Sequence, residues 1–142
     1  MVRWSWIDLR GKECKMIRVI SAYRVSQDNP NTVGKLTACK NQVRGMLKRG
    51  VCKPNPKKSF LQDIGKFIRE WERGTSHEVI LMVDIHEYIG TKGELYNFSL
   101  KNDLIDSVSL LNPDQAEDPT YLWGNKRIYY ILMTPALAEV AL

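Results

Sequence analysis

The segment that decides the fold is VILMVDIHE, residues 79–87, in which five consecutive apolar residues run directly into Asp84. A short apolar run bounded by polar residues predicts a strand covered on both faces, central in a sheet packed between layers. Asp84 and His86 are two positions apart, so in extended chain their side chains point to the same side. Together they could hold a metal or activate water. A strand-end carboxylate can equally be a cap for the following turn, and this pair alone leaves both interpretations open.

The segments on either side of this strand predict a mixed order of helices and strands. We expect an N-terminal hairpin, a helix from Asn31 or Thr32 to Gly50, and a second helix that ends at Gly74. A short helix after Gly93, a brief strand over 104–106, a hairpin over 120–123 and 127–133, and a last helix from Pro135 follow. The order β-β-α-α-β-α-β-β predicts an α/β layered fold with a mixed sheet.

Positive charge is concentrated in one part of the chain. The net charge is +5, and no acidic residue lies between Asp28 and Asp63. That stretch contains eight basic residues: Lys35, Lys40, Arg44, Lys48, Arg49, Lys53, Lys57 and Lys58. They are the candidate nucleic-acid-binding residues, because a local basic segment suits a polyanion. The alternative is a solvated helix face that keeps the protein soluble.

Composition excludes several classes of protein. The apolar fraction of 44% is ordinary for a globular domain, and no apolar run reaches the roughly 18–20 residues of a membrane span. The first ten residues lack the apolar stretch of a cleaved signal peptide, so we expect an intracellular protein, without assigning a compartment. The three cysteines show neither disulfide nor zinc spacing.

Three motifs carry a resemblance to a known family. They are ISAYR (20–24), MVDIHE (82–87), and Thr120 followed by GNKRIYYIL (124–132). In this order they resemble the strand ends of the endonuclease/exonuclease/phosphatase superfamily. Pro54-Asn55-Pro56 and the Trp-containing helix that follows resemble its mobile-element-type, AP-endonuclease-like branch. The resemblance implies a four-layer α/β sandwich, of which residues 1–142 would form a single, incomplete domain.

The resemblance also implies roles for four candidate catalytic residues. Enzymes of the family hydrolyse phosphate esters with a divalent metal, usually Mg²⁺, a hard ion that prefers oxygen ligands. Asp84 corresponds to the aspartate that activates the attacking water, and Tyr23 to a tyrosine near the scissile phosphate. His86 stands where the family has an asparagine, and Tyr129 where it has a second aspartate.

These departures, together with missing motifs, shape the functional prediction. The family's metal-binding glutamate and its closing Asp-His pair are not found, and His77 is assigned to a surface loop. An active site acts as a unit, so loss of several members predicts loss of function. We therefore expect a truncated, degenerate and non-catalytic remnant, a pseudoenzyme that acts as a binding or structural component. The alternative is a Mg-dependent endonuclease or phosphatase-type hydrolase that is active only in a longer or complemented form.

The cofactor and partner predictions follow from the same points. No cofactor is expected in this chain, with Mg²⁺ bound only if a complete site is supplied. We expect weak, non-specific binding to nucleic acid, and a protein partner that covers edges left by truncation. Trp4, Trp6 and residues 136–142 are the expected positions of that partner. Unselected mutation and selection for a new function both remain explanations of the changed residues His86 and Tyr129.

Overall fold

The computed structural model describes residues 3–26, 37–72, 77–87, 89, 93–115, 118–120, 122 and 124–141. These residues form an α/β fold with one mixed five-stranded sheet and five helices. The strands are β1 (Trp4–Arg10), β2 (Met16–Tyr23), β3 (His77–Asp84), β4 (Ile105–Asp106) and β5 (Tyr129–Met133). The helices are α1 (Ala38–Lys48), α2 (Pro56–Glu72), α3 (Glu94–Lys101), α4 (Ser107–Leu111) and α5 (Pro135–Ala141).

The sheet has the strand order β1-β2-β3-β5-β4, with β3 in the centre. The first hairpin is confirmed, since β1 pairs antiparallel with β2. β2 runs parallel to β3, which two intervening helices make possible, and β5 runs antiparallel to both β3 and β4. The predicted α/β class, mixed sheet and last helix from Pro135 are therefore confirmed, with the short helix α4 added before β5.

One face of the sheet is covered by α2 and α3. Phe60, Ile64 and Ile68 of α2 are at most 2% exposed, and they belong to one core cluster with Ile20 of β2 and Leu81 of β3. Leu95 and Phe98 of α3 and Tyr130 and Leu132 of β5 complete this cluster. The positions at helical spacing in α2 are thus core, as the sequence predicts.

The expectation that β3 is covered on both faces is wrong for the part of the chain that the structure describes. Val79, Leu81 and Val83 are buried, whereas Met82 on the other face is 40% exposed. Side chains alternate between the two faces of a strand, and the core cluster with α2 and α3 lies on the face that carries the odd-numbered residues of β3. On the other face burial is uneven, since Met133 of β5, which pairs with Ile80, is 9% exposed. The apolar run correctly predicted the position of the strand, but not the burial of both its faces.

Three local predictions need correction. Helix α1 begins later than expected, because Thr37 is extended and its hydroxyl oxygen accepts a hydrogen bond from Lys40 N at 3.2 Å. The expected starts at 31–32 and the stop at Gly74 lie outside the described residues. The second hairpin does not form, since β5 pairs with β3 and β4 and Thr120 lies in no strand. His77 begins β3 and stacks on Trp71 at 4.2 Å, so it is not a loop residue.

The edge strand β1 is held to the helical layer by an aromatic and ionic cluster. Arg18 donates to both carboxylate oxygens of Asp8, at 2.7 and 2.8 Å. Its guanidinium carbon lies 3.6 Å from the ring centroid of Trp71, a close cation–π contact. Trp4 and Trp6 both pack on Phe67, so these two expected partner-binding residues contact α2.

Candidate functional site

The ends of the three central strands carry one row of candidate site residues, namely Tyr23, Asp84 and Tyr129. Tyr23 ends β2 and pairs with Asp84, which ends β3, and Asp84 pairs with Tyr129 at the start of β5. Residues directly opposite one another on neighbouring strands point to the same face. The structure thus brings three of the four candidate catalytic side chains together on the face of the sheet opposite α2 and α3, which we call the open face.

Asp84 is partly withdrawn from water. Its side chain is 18% exposed, and burial raises the pKa of its carboxyl while the neighbouring His86 lowers it in part. The Nε2 atom of His86 lies 3.4 Å from Asp84 Oδ1, close enough for an ion pair when the ring is protonated. Among the described residues, however, no group donates a hydrogen bond to this buried oxygen. Asp84 therefore retains an unused acceptor at the end of the central strand.

His86 adopts a left-handed backbone conformation, with φ of 50°. This region disfavours most side chains but is more tolerant of Asn, Asp and His. The ring of His86 lies edge-on to that of Tyr23, with centroids 6.3 Å apart. It also lines a second cleft, of about 430 Å³, with residues 124–126 and Tyr129. His86 thus joins the row from the loop after β3.

A larger cleft of about 760 Å³ contains the row of three site residues. Its wall includes Met82 and Ile131 from the sheet, and Arg3 and Gln42 from beside it. Gln42 is 9% exposed, and its Oε1 atom accepts no hydrogen bond from the described residues. Buried polar atoms in native proteins nearly always have partners. Asp84 Oδ1 and Gln42 Oε1 are therefore two acceptors that can bind water or another donor in this cleft.

The strand-end loops of the site are fixed by Arg24, to which sequence reasoning gave no role. Arg24 is 1% exposed and donates to the carbonyl oxygen of Ile85 at 2.6 and 3.1 Å. It also donates to Glu87 Oε2 at 2.7 Å, and Glu87 Oε1 accepts from Leu95 N in the first turn of α3 at 2.9 Å. Arg24 and Glu87 stand in the YR and DIHE motifs, so the signal was present in the sequence.

A second buried ion pair positions Tyr129. Arg127 donates to both oxygens of Asp106 at 2.6 and 2.7 Å, and its Nε donates to the carbonyl oxygen of Tyr129 at 3.1 Å. The hydroxyl oxygen of Thr120 accepts from the backbone of Ile128 and Tyr129 at 2.9 and 3.2 Å. These contacts explain why threonine and arginine accompany the last motif, since they fix the entry into β5.

The basic residues are spread over α1, the connection that follows it and the first turn of α2. Lys40, Arg44 and Lys48 follow one exposed stripe of α1 at four-residue spacing. Arg49 and Lys53 follow in the connection, and Lys57 and Lys58 lie in the first turn of α2. Lys35 lies outside the described residues. Of the described seven, Lys57 is half-buried and the others are exposed.

The site and fold were compared with known proteins. No protein-family model and no curated protein matches the sequence. A structure of the human Nocturnin catalytic domain with bound sulfate anion aligns with 94% of this chain and 49% of that chain, at TM-score 0.54 and 11% identity. A crystal structure of beta toxin 275-280 from Staphylococcus aureus aligns with 94% and 43%, at TM-score 0.49 and 14% identity.

The alignment with Nocturnin concerns the fold alone, given its low identity. The chain spans about half the length of that structure. Within the described residues no helix combines the length and apolar character needed to cross a bilayer. The chain is thus similar in fold to about half of the Nocturnin catalytic domain.

Proposed function

We propose that this chain, whose fold is similar to about half of the Nocturnin catalytic domain, is a non-catalytic relative of metal-dependent phosphodiesterases and acts as a binding or structural component. The observation that carries the proposal is the row Tyr23, Asp84, Tyr129, in which a single carboxylate stands between two phenols. A phosphate-ester hydrolase needs a metal or several donors directed at the phosphate. This row supplies one acid and a phenol on each side of it.

The residues present do not fit a magnesium ion. Mg²⁺ requires near-ideal octahedral coordination by oxygens and is usually held by one or two ionised carboxylates. Asp84 has an unused oxygen, but burial raises the pKa of its carboxyl, and the imidazole of His86 lies 3.4 Å from that oxygen. In the described ranges no group of three or more His, Cys, Asp or Glu side chains could hold a metal. These side chains therefore do not support a metal-dependent catalytic step.

A second candidate function is supported by the unused oxygen of Asp84. A buried acceptor that borders a cleft of about 760 Å³ is where a longer or complemented form could direct a water molecule or a Mg²⁺ ion. In that form the chain would contribute Asp84 to a Mg-dependent hydrolase of the nuclease or phosphatase type.

The test is a hydrolysis assay on plain DNA and on DNA with an abasic site, with and without Mg²⁺. We expect the wild-type chain and Asp84→Ala to give the same background cleavage. The double variant His86→Asn, Tyr129→Asp should also stay at background, since it changes two side chains but adds neither a metal-binding glutamate nor an Asp-His pair. Metal-dependent turnover that Asp84→Ala abolishes would contradict the proposal, and so would turnover gained by the double variant.

A further inference from the structure

A groove of about 280 Å³ lies between α2 and α3, the two helices that cover the face of the sheet opposite the candidate site. Its lining includes three cationic side chains, Lys58 and Arg69 of α2 and Lys101 of α3. Two exposed amides, Gln62 and Asn97, line it as well. The groove therefore presents both charged and neutral hydrogen-bond donors.

Arg69 is held in this groove by a buried amide. Its Nη1 atom donates to Asn102 Oδ1 at 2.6 Å, and Asn102 Nδ2 donates to the carbonyl oxygen of Phe98 at 2.7 Å. Asn102 is only 4% exposed, so the amide that orients the guanidinium has little freedom to move. A guanidinium carries more N–H donors than this one hydrogen bond uses. Arg69 is thus a fixed cation that can still donate to a ligand in the groove.

Gly65 leaves the space that this arrangement needs. It lies one turn before Arg69 within α2, and a methyl group at this position would be 3.1 Å from Arg69 Nη1 and 3.2 Å from Asn102 Oδ1. These distances are shorter than ordinary contacts of a carbon atom, so alanine at 65 would displace the guanidinium or the amide. Glycine is otherwise disfavoured inside a helix relative to alanine. Gly65 therefore allows Arg69 and Asn102 to stay where they are.

The positive charge of the groove has no counterion in the part of the chain that the structure describes. There, no carboxylate oxygen lies within 4.0 Å of a charged nitrogen of Lys58, Arg69 or Lys101. Glu94 also lines the groove, but its Oε2 atom lies 3.5 Å from Nη1 of the buried Arg24. Like charges along one groove repel each other, and an anion between them removes that repulsion. The groove is therefore complementary to an anion.

We propose that this groove binds a phosphate monoester. A monoester carries a charge of about −1.5 to −2 at pH 7 and three strong acceptor oxygens. These properties match three cations and two amides better than the single charge of a carboxylate or a phosphodiester does. Arginine binds phosphate through two parallel hydrogen bonds, and lysine adds a point charge.

The ester can belong to a phosphorylated side chain of a partner protein or to a small molecule, since both present the same chemical group. The inference goes beyond the proposed function, because the groove and the row Tyr23, Asp84, Tyr129 lie on opposite sides of the sheet. It holds whether or not the row is catalytic.

The experiment is a titration of the isotope-labelled chain with a blocked phosphoserine peptide, followed by NMR. We expect saturable shifts at the Nε–H of Arg69 and the side-chain amide of Asn102, with a Kd of about 1 mM or below. The unphosphorylated peptide should cause no shifts, and the same peptide with glutamate for phosphoserine should bind at least about 10-fold more weakly. Phenyl phosphate separates the two sources. An equal Kd assigns recognition to the ester group alone, and tighter binding of the peptide assigns the ligand to a phosphorylated partner.

A charge reversal in the groove tests the location. Lys101→Glu should weaken binding of the phosphopeptide at least about 10-fold, because a repelling charge replaces an attracting one. The matched control is Lys66→Glu, the same change on an exposed side chain of α2 outside the groove, which should bind within about twofold of the wild type. Arg69→Gln should abolish binding. If that variant does not fold, because Asn102 loses its partner, Lys101→Glu on the surface still decides the question.

A wild-type chain without saturable shifts would overturn the proposal. Equal weakening by Lys66→Glu and Lys101→Glu would do the same, since it would indicate attraction to net charge alone. Only Lys58 of the three cations belongs to the basic segment that predicts nucleic-acid binding. A short DNA strand, which carries phosphodiesters, should therefore shift Arg69 and Asn102 far less than the monoester does. Equal affinity of the two at these reporters would assign the groove to nucleic acid and contradict the proposal.

Discussion

The two faces of the central strand differ in burial although their residues are of one chemical class. On β3, Val79, Leu81 and Val83 are 0%, 1% and 4% exposed, while Met82 is 40% exposed. The same contrast holds on β5, where Leu132 is fully buried and Ile131 is 41% exposed. Helices α2 and α3 account for the buried side. An apolar pattern therefore indicates that a side chain can be buried, but whether it is buried depends on the elements that pack against it.

The largest difference in stability between the two faces is expected when one side chain on each face is truncated to alanine. Leu81→Ala should lower the free energy of unfolding by about 2–5 kcal/mol, because it removes a fully buried side chain and leaves a cavity. Met82→Ala removes a side chain that is already in contact with water and should cost about 1 kcal/mol or less. Urea denaturation of both variants, at a protein concentration below that of any association, measures the difference.

Equal losses from the two substitutions would mean that the side chain of Met82 is as fully packed in the folded chain as that of Leu81, and the contrast between the two faces of β3 would be lost.

The carboxylates of the two faces should respond to pH in opposite directions. Asp8, on the helix-covered side with Arg18, has its pKa lowered by the hydrogen bonds from that guanidinium, whereas burial raises the pKa of Asp84 on the open face. A lowered pKa adds stability above the unfolded value of about 3.9, and that stability is lost as pH falls. A raised pKa means that ionisation opposes folding, so stability falls as pH rises through the window above 3.9.

At pH 7, Asp8→Asn should therefore be less stable than the wild type and Asp84→Asn more stable. The difference for Asp84→Asn should be largely gone at about pH 3, where the wild-type carboxyl, with its raised pKa, is protonated. The difference for Asp8→Asn should begin to shrink only below the unfolded value of about 3.9, and it should persist until the pH falls below the lowered pKa of Asp8. Thermal unfolding of both variants between pH 3 and 7 measures this, with Asp114→Asn on an exposed turn as the control for loss of one charge. A destabilised Asp84→Asn at pH 7 would show that its carboxylate has a partner that the isolated chain does not reveal.

Much of the fold followed from local sequence signals. The first hairpin, the central strand and the amphipathic helix α2 each have a period or a turn that identifies them. The prediction of a second hairpin was wrong because the residues before β5 have the composition of a strand. The strands that pair with β5 are instead β3, which is distant in sequence, and β4, which is very short. Strand pairing over such distances is not encoded in local composition.

The position of the candidate site residues in the sheet could be predicted from the sequence, whereas most of their contacts could not. The position of Asp84 at a strand end was sufficient to locate the row, and the resemblance supplied Tyr23 and Tyr129. The buried ion pairs of Arg24 with Glu87 and of Arg127 with Asp106 could not be paired from sequence, because each joins segments separated by loops. Their residues stand in or beside the quoted motifs, so charged residues next to a motif are the signal to examine.

We expect the smallest effect on stability from substitution of the basic residues of α1 and of the first turn of α2. This effect does not depend on either face of the sheet. Lys40, Arg44 and Lys48 form one exposed stripe, and Lys57 and Lys58 stand at a helix N-terminus, where the helix dipole disfavours cations but attracts anions. We predict weak, sequence-independent binding to nucleic acid. Contact with about four phosphates gives a slope of log affinity against log salt of about −3 to −4, and a Kd of roughly 10⁻⁴–10⁻⁶ M at physiological salt.

Changing Lys48, Arg49, Lys57 and Lys58 to Ser should flatten that slope and weaken binding to every sequence alike, because phosphate contacts carry no base information. The measurement is a fluorescence anisotropy titration with labelled DNA of two unrelated sequences between about 50 and 200 mM salt. Met82→Glu is the matched control, since it changes the open face and leaves the basic stripe intact, so its slope should equal that of the wild type. No binding at about 50 mM salt, where electrostatic attraction is strong, would assign these residues to a solvated surface or a protein partner. A slope that Met82→Glu changes would instead place the nucleic acid on the open face, and the separation of the two surfaces would then be lost.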